Sequence, residues 1–170
     1  AGTLDMGGNN NAHSGALNVN AGQVNAVFGN AIGNTSAVTV ASGATLAVGG
    51  TETIGSLAGA GQLIIGAGNT LTTGGNNAST TWTGTTGATT GGLTKVGTGT
   101  FTINANTSYT GLTTVSAGEL KVNGTMADSL LISAGARFSG NATISGNVTT
   151  NGAINPGNSP GSVIIAGNYI

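Results

Sequence analysis

The sequence predicts an all-β fold: a right-handed parallel β-helix of about nine coils, forming one domain over residues 1–170. Three observations predict it. Val, Ile, Leu and Thr alternate with small polar residues in short runs, the period of a half-buried strand. Glu, Lys, Arg and Gln are nearly missing, so no segment has the composition of a helix. A short unit built around glycine recurs along the whole chain, as in a solenoid whose coils stack one on the next.

Composition sets the outer limits. A chain of 170 residues can bury a sizeable core if that core is continuous. Glycine accounts for 33 of them, yet frequent β-branched residues and scarce charge argue against disorder. Charged residues are only 4% of the chain: Lys95, Lys121 and Arg137 against Asp5, Glu52, Glu119 and Asp128. A net charge of −1 offers no basic surface for phosphates, so nucleic acid is not an expected partner, and no charged ligand is steered from a distance. The absence of cysteine excludes a disulfide framework and thiolate chemistry, and removes the strongest zinc ligands. No run of about 18 apolar residues occurs, so no transmembrane helix is expected, and the opening residues do not read as a signal peptide.

The recurring unit is an aliphatic residue, two small residues, glycine, and another apolar residue two or three positions on. "VNAGQV" (19–24), "VASGATL" (40–46), "IGAGNTL" (65–71), "VGTGTF" (96–101), "VSAGEL" (115–120) and "ISAGARF" (132–138) are complete copies. "TTNGAI" (149–154) and "IIAGNY" (164–169) are looser, and "AGTLDM" (1–6) matches "AGELKV" (117–122). The marker glycines are Gly2, Gly22, Gly43, Gly68, Gly99, Gly118, Gly135, Gly152 and Gly167, expected at coil corners where the backbone turns left-handed. Their intervals, by subtraction, are 20, 21, 25, 31, 19, 17, 17 and 15. Hairpins would place turns roughly every 8–12 residues, whereas a drifting longer period fits coils stacked about 4.8 Å apart in a parallel ladder. Alternation around the corners then turns Val38, Val40, Leu46 and Val48 inward, and likewise Val115, Leu120 and Val122. The outside becomes an uncharged coat of Thr, Asn and Ser.

"GGLTKVGTGTFTINANTSYTGLTTVSAGELKVNG" (91–124) closely resembles the passenger-associated repeat of bacterial autotransporters. "AVTVASGATLAVGGTETIGSLAGAGQLIIGAGNTLTTGG" (37–75) resembles the segment that commonly precedes it. "NGAINPGNSPGSVIIAGNY" (151–169) resembles the last passenger coils before the autochaperone region. The resemblance implies a β-helical passenger, surface-exposed or secreted after export across the outer membrane through a β-barrel. No succession of roughly ten-residue amphipathic barrel strands follows and no secretion signal precedes. The chain is therefore expected to be a processed product, a cut-down segment or a subunit that has lost its translocator. Because the repeat is scaffold in adhesins and other passengers alike, it implies no single activity.

Individual motifs are weighed against that frame. Gly157, Asn158, Ser159, Pro160 and Gly161 fit G-x-S-x-G, the turn that presents a nucleophilic serine in hydrolases. Such a site takes the backbone N–H after the serine for its oxyanion hole, and Pro160 has none. The single histidine, His13, also lies upstream, against the hydrolase order. With Pro156 and Pro160 fixing dihedrals beside Gly157 and Gly161, the stretch reads as a structural turn. His13 stands in a polar loop with only Asp5 near it in sequence, so it reads as solvated rather than as a metal ligand. Glu119 and Lys121 flank Leu120 and are expected to face outward as a weak surface pair. Glycoside hydrolysis needs two acids at a set separation, and the four acids here are expected on different coils. The repeated Asp of a Ca²⁺-binding nonapeptide is missing. Asn34, Asn77, Asn106, Asn123, Asn141 and Asn147 open N-glycosylation tripeptides but read as corner residues. Trp82, the single tryptophan, falls in the longest glycine interval. A protruding loop would make it a candidate contact residue, whereas the alternation Thr81-Trp82-Thr83 turns it into the core, the placement adopted here.

These readings combine into a non-enzymatic passenger segment, an adhesin stalk or fibre scaffold, with no catalytic residue, cofactor or metal. Its expected partners are a host or neighbouring-cell surface, or copies of itself. Neither "AGTLDM" nor "SVIIAGNYI" carries a proline, a lysine cluster or a helix to blunt an open strand edge, so end-to-end stacking into a filament is expected. The alternative is a β-helical carbohydrate-active enzyme, favoured if three of Asp5, Glu52, Glu119, Asp128 and Arg137 converge in one groove. An ice-binding solenoid would need Thr-x-Thr ranks in register on one flat face, and the threonines are irregularly spaced along the sequence.

Overall fold

The computed structural model describes residues 2–10, 12–157 and 160–170. Ser159, the serine of the G-x-S-x-G stretch, lies outside the described residues. The fold is the all-β parallel solenoid that the alternation predicts, with no helix among the described residues. All strand pairings are parallel. The main path of the nine-stranded sheet stacks Leu17–Val19, Ala37–Val40, Ser56–Gly59, Thr80–Trp82, Thr100–Ile103, Glu119–Met126, Arg137–Ile144 and Ala153–Pro156. Val163–Ile165 pairs with the far half of Arg137–Ile144. A five-stranded sheet holds Thr3–Met6, Gln23–Ala26, Thr45–Val48, Gln62–Ile65 and Thr85–Thr86, and a six-stranded sheet runs from Glu52–Ile54 to Val148–Thr150. Past Thr86 the five-stranded sheet stops, and strands of the nine-stranded sheet lengthen to eight residues at Glu119–Met126 and Arg137–Ile144.

The solenoid makes about 8 turns, not nine. The register gives the reason. Following Val19, Val40, Gly59, Trp82, Ile103, Val122, Gly140 and Pro156 as successive partners, the coil length by subtraction is 21, 19, 23, 21, 19, 18 and 16 residues. The 31-residue glycine interval is therefore no single coil. Gly22 and Gly43 lie between the nine- and five-stranded sheets, Gly68 between the five- and six-stranded, and Gly99, Gly118, Gly135 and Gly152 between the six- and nine-stranded. The unit marks corners, and the corner it marks changes along the chain. The backbone is left-handed at Gly22, Gly43, Gly68, Gly118 and Gly135; in "VGTGTF" it is Gly97 that has φ 70°, not Gly99. Gly2, Gly152 and Gly167 have no positive φ among those recorded. Pro156, expected in a turn, is instead the last residue of the strand Ala153–Pro156, which ends the sheet's main path, where a missing N–H is tolerated.

The interior is one continuous cluster of buried side chains. Val38, Val40, Leu46, Val48, Val115, Leu120 and Val122 all lie in it, as the alternation requires. Register stacks like on like: Phe101, Leu120, Phe138 and Ile154 form one column, Val24, Leu46 and Leu63 another. Each buried aliphatic or aromatic side chain contributes roughly 1.5–3 kcal/mol relative to an exposed one. Outside, Thr53, Thr72, Thr94 and Thr114 stand in register on the six-stranded sheet, followed by Leu131 and Thr149. Threonines irregular in sequence thus form one ordered column. The column two residues earlier reads Thr51, Thr70, Gly92, Leu112, so a second Thr rank stops after two coils.

Close approach of neighbouring coils sets which glycines can change. A Cβ on Gly59, at φ 125°, would lie 2.0 Å from the Val40 carbonyl oxygen, whereas one on Gly43, at φ 80°, meets nothing within 4 Å. Gly43→Ala is expected to cost about 1–2 kcal/mol, the strain of a left-handed Cβ. Gly59→Ala is expected to cost at least about twice that, because the coils must also separate. Urea unfolding of both variants against the parent measures the order, and equal midpoints would contradict the register.

Candidate functional site

The chain's seven charged side chains are divided between inside and outside. Glu52, Lys95 and Asp128 are buried, at 0%, 1% and 1% exposure. Each occupies a place where the regular ladder stops. Glu52 begins the six-stranded sheet, and its coil's predecessor has no strand on that face. Its Oε2 accepts the backbone N–H groups of Ala31 (2.7 Å) and Ile32 (3.3 Å), while Oε1 accepts that of Thr53 (3.1 Å). A carboxylate thus replaces a strand's carbonyls. Burial pushes its carboxyl above the ordinary range despite those bonds. Lys95 ends the strand Gly92–Lys95 and donates to the carbonyls of Val96 (2.6 Å), Gly97 (3.0 Å) and Ala117 (3.3 Å), closing a corner; burial lowers its pKa.

Asp128 lies against the irregular segment 104–112. Thr107 donates its hydroxyl to Oδ1 at 3.2 Å, Oδ2 has no hydrogen-bond partner, and the Tyr109 and Thr113 hydroxyls share a 3.0 Å bond close by. Burial pushes the Asp128 carboxyl up to about 6, with hydrogen bonds including those of Thr113 and Thr107 pulling the other way. The Tyr109 hydroxyl is also raised, by its own burial and then by the Asp128 charge. The inward phase of alternation marks Glu52, in step with Ile54, and Lys95, in step with Leu93, so their burial was readable. Asp128 stands in a corner, where alternation gives no phase.

Outside, Glu119, Lys121 and Arg137 stand on two neighbouring strands. Glu119 does not pair with Lys121 as spacing suggested; its Oε2 accepts from Arg137 Nη2 at 2.7 Å and from the Thr100 hydroxyl at 3.3 Å, and its Oε1 accepts from the Ser139 hydroxyl. The reason is rung pairing: Glu119 faces Thr100 on one side and Arg137 on the other, at about 4.8 Å per rung, closer than residue i+2 of its own strand. Partial burial would raise the Glu119 carboxyl, but the bonds from Ser139 and Arg137, the Arg137 charge and the Thr100 bond together hold it below the ordinary range. Thr100, Glu119 and Arg137 line an open groove of about 590 Å³ with Thr98, Asn151 and Asn155, and Lys121 stands just outside its lining.

The remaining candidates stay apart. Asp5, exposed, accepts from the Asn25 amide at 2.5 Å. His13 is exposed, its Nδ1 3.2 Å from the Ser36 hydroxyl. Among the described residues no three His, Cys, Asp or Glu side chains are grouped to hold a metal. Of Asp5, Glu52, Glu119, Asp128 and Arg137, only Glu119 and Arg137 share the groove. Trp82 is inside, at 1% exposure, in register between Gly59 and Ile103 with its Nε1 unpaired, so it presents no surface for contact. Five of the six tripeptide asparagines tie one coil to the next: the Oδ1 atoms of Asn77, Asn106, Asn123, Asn141 and Asn147 accept backbone N–H groups of Thr98, Thr125, Asn141, Ser162 and Asn168. Asn123 and Asn141, expected at corners, lie instead within the strands Glu119–Met126 and Arg137–Ile144, because the ladder lengthens there. Asn34 Oδ1 is buried without a partner.

A parallel solenoid whose coils are tied by asparagine side chains around one continuous interior column has the architecture of a repeat protein. Residues 1–26 and 93–122 match the family model of the passenger-associated-transport-repeat. The second match falls inside the 91–124 stretch; the first covers the opening coil. With the solenoid, these two copies are consistent with an autotransporter passenger domain. The repeat implies export to the cell surface or secretion. No curated protein and no solved structure matches the chain.

Asp128 makes stability depend on pH. Its carboxyl titrates at about 6 when folded against 3.8 ordinarily, so the folded chain holds the proton more tightly. Stability should fall as pH rises from about 4 to about 6 and stay lower above, by on the order of 3 kcal/mol from this group. Asp128→Asn should be more stable than the parent at pH 7 and nearly equal to it at pH 4. Urea unfolding midpoints across that range check both, and a parent-minus-variant difference that does not change with pH would refute the assignment.

Proposed function

We propose that this chain is a non-enzymatic passenger segment, displayed on a bacterial surface or released after export, that acts as a rigid scaffold: an adhesin stalk or fibre unit. The observation that carries the reading is the unbroken interior column, in which even the buried charged groups are spent on backbone carbonyls, N–H groups and hydroxyls. A chain that spends its few ionisable groups on holding coils together has few left to act on a substrate. Turnover of a polysaccharide or ester by the purified chain, abolished by changing one acid, would overturn the reading.

The terminal rungs favour longitudinal contact. Leu4 stands in the column of Val24, Leu46 and Leu63 yet is 55% exposed, and at the opposite end Tyr169 and Ile170 are 63% and 72% exposed. A further coil, or the end of a second copy, fits against either. Electron microscopy of the purified chain is expected to show filaments one solenoid wide. Isolated rods of roughly 40 Å, the height of eight stacked rungs, would leave the stalk reading and remove the filament.

A further inference from the structure

We propose that the groove beside Arg137 and Lys121 binds a glycan bearing a carboxylate. Of the chain's three cations, Lys95 is sealed inside; the other two stand on the same outward face of neighbouring strands. Arg137 is in register with Glu119, and Lys121, two residues beyond Glu119, with Ser139. At about 3.3 Å per residue and about 4.8 Å per rung, their backbones are roughly 8 Å apart, within reach of one anion held between the side chains.

The donors there are not used up. A guanidinium carries five N–H donors, and the recorded bond of Arg137 uses Nη2 alone. Lys121 makes no hydrogen bond or ion pair with the described residues. Glu119 has both oxygens occupied, by Ser139 on one and by Arg137 and Thr100 on the other, so it acts as a positioning residue that orients Arg137 and cancels one charge. The face is left with one net positive charge in a chain almost free of charge.

The walls choose among anions. Thr98, Thr100, Asn151 and Asn155 supply hydroxyls and amides, the partners of sugar hydroxyls, and no large apolar side chain lines the groove to seat a lipid tail or a peptide anchor. Two cations are too few for a polyanion such as a nucleic acid, whose binding rests on many neutralised phosphates. One carboxylate on an otherwise neutral, hydroxyl-rich chain fits both charge and walls, the carboxylate taking an Arg fork and a Lys point charge. Thr100, Glu119, Arg137 and Ala153 are register partners on successive rungs, so the groove extends roughly 14 Å across the coils, longer than a lone ion needs. This site goes beyond the scaffold reading, which stands whether or not the groove binds.

The test is titration of the full chain, followed by amide chemical shifts, with sialyllactose, lactose and acetate as probes. Sialyllactose is expected to shift groove residues, bind at least about tenfold more tightly than either lactose or acetate, and weaken as salt rises. Lys121→Gln breaks no contact and should keep the fold while weakening sialyllactose about tenfold, and Arg137→Gln should weaken it at least as much. Equal binding of lactose would leave no role for the carboxylate, and equal binding of acetate would mean a plain anion site. Either result, indifference to Lys121→Gln, or no binding of sialyllactose overturns the proposal.

Discussion

The parallel backbone ladder between successive coils is the interaction on which everything else depends. Each coil satisfies the N–H and C=O groups of its neighbours, at about 4.8 Å per rung, with no help from side chains. That independence lets a chain with 33 glycines and 4% charge hold a fixed shape. Where the ladder breaks, side chains must take its place, because a buried unpaired backbone group costs about as much as a lost hydrogen bond. Glu52 does so where the six-stranded sheet begins, Lys95 at a corner full of carbonyls, and the asparagine Oδ1 atoms along the coil edges.

This placement decides what charge can do in the molecule. Glu52 and Lys95 are each bonded to backbone only and have no opposite charge recorded beside them, so removing either would leave backbone groups unpaired rather than free a partner. Asp128 differs: one of its oxygens has no partner, and the neighbouring Tyr109 and Thr113 hydroxyls bond each other. Burial therefore weighs more on Asp128 than its bonds relieve. By contrast, Glu119 on the surface is over-supplied with donors and titrates in the opposite direction. Two carboxyls in one solenoid move apart because one is wedged under a loop and the other lies between three rungs.

The same geometry separates scaffold from contact surface. Inside, columns such as Phe101, Leu120, Phe138 and Ile154 repeat the same chemistry from rung to rung, giving rigidity along the axis. Outside, the coat is mostly Thr, Asn and Ser, broken by exposed apolar side chains such as Phe28, Leu112 and Ile164 and by charged groups. Of the charged groups, Glu119, Lys121 and Arg137 stand together on neighbouring strands of one sheet.

The sequence by itself determined the parallel solenoid, the inward set from Val38 to Val122, the corner role of most of the marker glycines, and the resemblance that the two repeat matches support. All of these are local: alternation of period two and left-handed corners are properties of a few adjacent residues. The tertiary structure alone decided what depends on register. The number of turns came out near 8 because the glycine unit slides from corner to corner, which only strand pairing reveals. Glu119 meets Arg137, 18 residues away, instead of Lys121, two away, and Thr53, Thr72, Thr94 and Thr114 align although their spacing in sequence is uneven. Coil length varies from 16 to 23 residues with the loops it carries, so which distant side chains become neighbours is set by the ladder and not by counting along the chain.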